Sequence, residues 1–208
     1  MTKYRSQRRA DAAAQTRAAI LSSARELFLA SGYSSVTVAQ IAAAAGVAVQ
    51  TVYSSAGGKT AILADLLARA VHDPIVDESL DSMAAATDPQ EVIDITAAGV
   101  RRTHERHWDV LFGLLHDGLG EPAATQVQKE GVDAFVATLT KVADRLVKLE
   151  ALRPDVDHTL AVDLLWFYLG QRSWFLLVGE RGWDFDRAEE WLAASARRAL
   201  LRDSDASR

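Results

Sequence analysis

The chain has 208 residues, 49% of them apolar, and contains no cysteine, which suits a soluble globular protein of one or two domains and excludes disulfide scaffolding, Cys-based zinc sites and thiol catalysis. Its net charge of −5 argues at first against a nucleic-acid partner, but residues 1–60 hold seven basic and two acidic side chains, net +5. The other 148 residues, with 16 basic and 26 acidic, carry −10.

In chain order, the opening MTKYRSQRRADAAAQTR is basic but is followed by no apolar run, so no secretion signal is expected and the cytoplasm is the default location. Apolar residues then recur at helical spacing throughout, and the chain reads as all-α. The first helix is expected from about Ala10 to Ser31, with Ile20, Leu21, Ala24, Leu27 and Phe28 on one face and Gly32 ending it. Thr37 and Gln40 form a capping-box pattern before a short helix of about 38–45, and a second short helix follows Gly46 at about 48–54. After Gly57-Gly58, residues 59–72 read as a fourth helix, and Pro74 closes this unit. Residues 75–87, acidic and irregular in pattern, mark a boundary between a domain of residues 1–74 and one of 75–208.

The second domain divides at prolines into helices of about 89–107, 108–118, 122–152, 154–179 and, after Gly182, 185–202, giving about nine helices in all. The most apolar stretch, Leu160 to Val178, contains Asp163, Gln171 and Arg172, so it is expected to be buried in protein rather than in a bilayer.

The segment TVAQIAAAAGVAVQTVY, residues 37–53, has the layout of a helix-turn-helix. Val38, Ile41 and Ala42 face inward, Gly46 permits the turn, and Val47 and Val52 anchor the second helix from behind. Ala48, Val49, Gln50, Thr51, Tyr53 and Ser54 are left on an outward face, small or polar as a helix entering a major groove requires.

With its neighbours, this segment resembles the N-terminal domain of the tetracycline-repressor (TetR) family of transcription regulators. The residues carrying the resemblance are Ile20-Leu21, Ala24, Leu27-Phe28, Gly32-Tyr33, Thr37, Ile41-Ala42, Ala45-Gly46-Val47, Thr51, Tyr53 and Lys59, spread over about residues 17–67. The resemblance implies that Thr37, Thr51, Tyr53 and Lys59 hold phosphates, while Gln50, Val49 and Ala48 read bases. Ser54 or Ser55 is a further phosphate candidate, because Ser54-Ser55-Ala56 stands where the family commonly has an aromatic pair after the tyrosine. Arg5, Arg8 and Arg9 read as a basic arm able to follow the backbone or enter the minor groove, or equally as a solvated tail. Ala48 replaces the serine that many members place at the start of the recognition helix, so that cap is lost.

Other patterns carry less. Gly58-Lys59-Thr60 imitates the end of a P-loop, but Tyr53 stands where the motif needs its first glycine. His104, Glu105, His107 and His116 lack a metal-ligand spacing, and core or pocket-lining histidines are the expected reading, with no metal and no cofactor. Eight of the 15 aromatics follow residue 160, and a helix apolar nearly all round near Trp166 to Phe175 needs partners on two sides. Candidate effector-pocket residues are Thr103, His104, His107, Trp108 and Phe112, joined by Phe135, Leu139, Trp166 and Trp174. Candidate dimer residues are Phe167 and Phe175 together with Ala188, Trp191, Leu192, Ser195 and Ala199 of the last helix.

The whole reads as an N-terminal three-helix helix-turn-helix domain with a C-terminal helical ligand-binding and dimerisation domain. The resemblance implies a cytoplasmic homodimeric bacterial repressor, not an enzyme, that leaves a double-stranded DNA operator when a small-molecule effector binds. Two alternatives stay open: an all-α enzyme or carrier using the C-terminal cavity, and a DNA binder with no effector.

Overall fold

A computed structural model describes residues 2–116 and 121–202, with side chains from Gln7 onward in the first helix. The described residues are almost wholly helical and fall into two compact units, Met1–Arg69 with Gly113–Lys129, and Ala70–Phe112 with Glu130–Arg208. None of their helices is long and apolar enough to cross a membrane.

In the first unit, α1 (Thr2–Ser31) begins eight residues earlier than its apolar stripe predicts. The early turns are rich in Arg, Ala and Gln, which favour helix without needing a buried face. The expected arm is therefore helical, with Arg8 and Arg9 exposed on it, while the Arg5 side chain lies outside the described residues. Ile20, Leu21, Ala24 and Phe28 are buried, as the spacing predicts. The short helix α2 (Val38–Ala44) carries the expected capping box: Thr37 accepts from the Gln40 amide, and Gln40 reaches back to the Thr37 amide at 2.8 Å. Gly46, at φ 67°, makes the turn in a conformation a side chain rarely adopts. Two helices follow, α3 (Val49–Ala56) and α4 (Lys59–Val71).

The second unit corrects three expectations. Residues 75–87 are not irregular: α5 (Pro74–Ala85) starts there, capped by Asp73 and opened by a first-turn proline, with Ile75 and Met83 buried eight residues apart. Its acidic residues, Asp77, Glu78 and Asp81, are exposed along the helix, and an acidic composition alone says nothing against helix. Next, α6 (Pro89–Leu115) runs through the expected break without ending, but His107, at φ −113° and ψ 18°, kinks it one residue from the predicted division. After α7 (Pro122–Lys148), the expected single helix over 154–179 is broken. Asp157 caps α8 (His158–Leu169), and Gly170 interrupts before α9 (Gln171–Trp174), which continues as a π-helical stretch, Phe175–Glu180.

Gly170 sits so close to the preceding turn that a Cβ there would lie 2.2 Å from the Trp166 carbonyl oxygen. Asp184 caps the last helix, α10 (Phe185–Leu200). The core of this unit joins Val92, Ile93 and Ala97 of α6 to Leu139, Val142 and Leu146 of α7, Leu165 and Leu169 of α8, and Leu192 and Ala196 of α10. Arg101 pairs with Asp186 at 2.5 Å, and Arg197 pairs with Asp94, tying α6 to α10 at the surface.

Candidate DNA-binding face and effector region

The face left by α3 follows from what its other side buries. Val52 and Ala56 are fully covered against the unit's core, so the residues between them on the helical wheel must point out. Ala48, Val49, Gln50, Tyr53 and Ser54 are exposed, Thr51 is half-buried, and Tyr53 shows 52% of its surface. A short helix thus presents one amide, one phenol and small groups to solvent, a combination suited to base edges and phosphates. Ala48 occupies the N-cap position in extended backbone, φ −73° and ψ 150°, and gives no side-chain cap. The Ser54 hydroxyl donates weakly to the Thr51 carbonyl at 3.3 Å, and the Thr37 hydroxyl is engaged with Gln40 in its capping box.

Lys59 opens α4 and is largely enclosed, its side chain only 16% exposed. Nζ donates to the Tyr33 carbonyl at 3.1 Å, lies 4.2 Å from the centre of the Tyr33 ring, and meets Glu121 Oε1 at 2.7 Å. Arg17, though its side chain is 43% exposed, is also engaged, donating to the Ser55 carbonyl and pairing with Asp65. Lys59 and Arg17, both among the cations that make residues 1–60 basic, are therefore each paired with an acid of their own unit.

The sequence signal missed Glu121. Its carbonyl accepts from the amide and hydroxyl of Thr125, a helix-start signature legible beside Pro122, but its pairing with a lysine 62 residues away is not a local pattern.

In the second unit the structure brings most of the effector candidates into one aromatic cluster. His104 stacks on Trp174 at 5.6 Å between ring centres and lies 6.4 Å from Phe135, which meets Trp166 edge-on at 5.7 Å. Trp108 stacks on Phe112 at 4.9 Å, and Phe175 and Phe185 close edge-on against Trp108. Leu139 is fully buried in the same core, and Thr103 bonds back to the Gly99 carbonyl.

His104 is 4% exposed, and burial holds its imidazole down to about 4, the contact of Nδ1 with the Val100 carbonyl offsetting only part of this. With Nδ1 donating to that carbonyl, Nε2 is an acceptor; it and the Trp174 indole N–H are buried with no hydrogen-bond partner among the described residues.

His107 does not join this cluster. Its Nε2 meets Asp73 Oδ2 at 2.8 Å, while Arg106 reaches both oxygens of the same carboxylate. Asp73 is 4% exposed; burial pushes its carboxyl up, but the Ile75 amide, His107 and Arg106 outweigh that and leave it below the usual carboxylate range. Beside this node lies an open groove of about 450 Å³ lined by Pro74, Ile75, Glu78, Arg102, Glu105 and Arg106, none of them an expected effector residue. Among the described residues, no group of His, Asp and Glu is placed to hold a metal ion.

The dimer candidates divide by burial. Phe167 and Trp191 are 67% and 47% exposed, and Ala199 is half-buried. Phe175, Ala188, Leu192 and Ser195 are buried within the chain's own unit, so the stripe expected to meet a partner instead packs α10 inward, largely against α8.

Residues 20–66 match the family model described as bacterial regulatory proteins, tetR family. No curated protein matches the chain significantly by sequence. Among solved structures, NalD, the secondary repressor of the MexAB-OprM multidrug efflux pump in Pseudomonas aeruginosa, is 26% identical with a TM-score of 0.76, over 93% of this chain and 99% of that one. SmeT, the repressor of the Stenotrophomonas maltophilia multidrug efflux pump SmeDEF, is 21% identical with a TM-score of 0.69, over 90% and 91%. FadR from Bacillus subtilis, solved in complex with stearoyl-CoA, is 15% identical with a TM-score of 0.71, over 87% and 97%. The last two show likeness of fold alone. The family match falls on the helix-turn-helix, and the likeness of fold to NalD extends over nearly the whole chain: residues 20–66 are similar to the DNA-binding domain of the tetR family of bacterial regulatory proteins.

Proposed function

We propose that the protein is a cytoplasmic homodimeric repressor that releases a pseudo-palindromic operator when a small molecule occupies its C-terminal part, with residues 1–74 binding DNA and 75–208 serving dimerisation and effector binding. The observation that carries the DNA reading is the exposed α3 face, with Gln50 and Tyr53 outward and Val52 buried behind them. The repressor's sign is supported by NalD, itself a repressor. A partner subunit is supported by the large apolar side chains left in solvent on α8 and α10, Phe167 and Trp191.

An effector would act by linkage, lowering DNA affinity only by as much as it prefers the non-binding spacing of two recognition helices. The aromatic cluster around His104 and Trp174 supports an apolar, uncharged effector, since a neutral imidazole offers no counter-ion. Footprinting of the DNA upstream of the protein's own gene tests the reading: a symmetric protected site supports it, and uniform cleavage at micromolar protein contradicts it.

A further inference from the structure

The resemblance of residues 17–67 implies that Lys59 holds a backbone phosphate, yet its ammonium is already engaged within the chain. Glu121 Oε1 lies at 2.7 Å, closer than the Tyr33 carbonyl at 3.1 Å, and the lysine side chain is largely withdrawn from solvent. A phosphate oxygen needs the same ammonium. Either it displaces the carboxylate, or two anions come to rest side by side around one cation, which is unfavourable.

Glu121 is not a loose surface acid. Its carbonyl accepts from the Thr125 amide at 2.9 Å and from the Thr125 hydroxyl at 3.1 Å, so its backbone is fixed to the first turn of α7. The chain of α7 then runs on to Lys148, beyond Lys129, where the first unit ends. A shift of the first turn of α7 by a fraction of a helical pitch, roughly 5.4 Å, would break a 2.7 Å contact.

We infer that Glu121 is a built-in competitor for the DNA backbone at Lys59, an autoinhibitory contact that lowers affinity while α7 holds it in place and releases the lysine when α7 moves. The inference rests on the DNA-binding reading above. The backbone contact it concerns is independent of sequence, so no operator is needed to test it.

The experiment titrates the full chain and its variants against a fluorescein-labelled 30-base-pair duplex of mixed sequence between 50 and 200 mM NaCl. Glu121→Gln keeps the size and hydrogen-bonding capacity of the side chain and removes its charge. It is expected to bind about fivefold more tightly and to steepen the slope of log K against log salt by about 0.9, the signature of one further phosphate neutralised. In a Lys59→Ala background the same change is expected to do nothing.

Unchanged affinity and slope for Glu121→Gln, or an equal gain in the Lys59→Ala background, overturns the inference, the latter because it would report overall charge. If wild type binds and Lys59→Ala weakens it while Glu121→Gln has no effect, the competitor role alone fails. If wild type shows no salt-dependent binding, the DNA reading fails and takes the inference with it. Glu121→Asp, which withdraws the carboxylate by one methylene, gives a second variant and is expected to fall between wild type and Glu121→Gln.

Discussion

His107 Nε2 lies 2.8 Å from Asp73 Oδ2, and His107 is the residue at which α6 leaves helical geometry. One buried carboxylate thus caps α5, anchors the kink of α6 and holds Arg106. Asp73→Ala is expected to destabilise the protein by about 2–4 kcal/mol, combining a lost N-cap with unpaired buried neighbours. Asp73→Asn, which still caps, is expected to cost less. Because the folded carboxyl is held below its ordinary value, the charge-dependent part of this stability is present above that value and is lost as pH falls through the lowered one. Urea denaturation of the three proteins checks this, and equal midpoints would contradict it.

His104 gives a second dependence on pH. Folded, its imidazole takes a proton only near pH 4, whereas the unfolded side chain does so near 6.5. As pH falls through this window the unfolded state binds the extra proton, so stability is lost, up to about 3 kcal/mol. His104→Phe keeps a ring against Trp174 and Phe135 and removes the titrating group. Its stability relative to wild type is therefore expected to improve between pH 7 and pH 4, and parallel denaturation profiles would refute the assignment.

Ala48 leaves the start of α3 without a side-chain cap although its backbone already has the extended geometry a cap requires. Ala48→Ser is expected to stabilise the protein by about 0.5–1 kcal/mol, read as a raised thermal midpoint. No change, or a lowered midpoint, would show that the helix start is satisfied in another way.

Phe167 and Trp191 are expected to lie in a subunit interface, and Leu192, one residue further on, in the core. Phe167→Glu or Trp191→Glu is therefore expected to give a folded species of monomer mass in sedimentation, while Leu192→Glu is expected to unfold the protein. A wild type that sediments as a monomer at micromolar concentration would end the dimer account.

The comparison of sequence with structure separates local signals from distant ones. The capping box at Thr37, the turn at Gly46 and the buried Val52 are set by neighbours within four residues, and each is legible in the sequence. Asp73 beside Pro74 carries a helix-start signal of the same kind, but the acidic run after it has the composition of a boundary, which masks the capping signal. Gly170 could be read as a break only with knowledge of how closely its backbone approaches Trp166. The stripe on α10 was a true apolar face, but periodicity cannot tell whether such a face meets the chain's own core or a second copy. Glu121 beside Lys59, and Asp73 beside His107, are pairings across 62 and 34 residues that depend on the fold.

The central claim is that the outward face of α3 reads DNA, and the most direct measurement compares wild type, Tyr53→Ala and Gln50→Ala by fluorescence anisotropy on a footprinted duplex, its single-base variants and a mixed-sequence duplex. The account predicts that Tyr53→Ala weakens binding to all of them alike, whereas Gln50→Ala relaxes preference at one base position by about 1–3 kcal/mol. Wild-type affinity and base preference retained in both variants would contradict it.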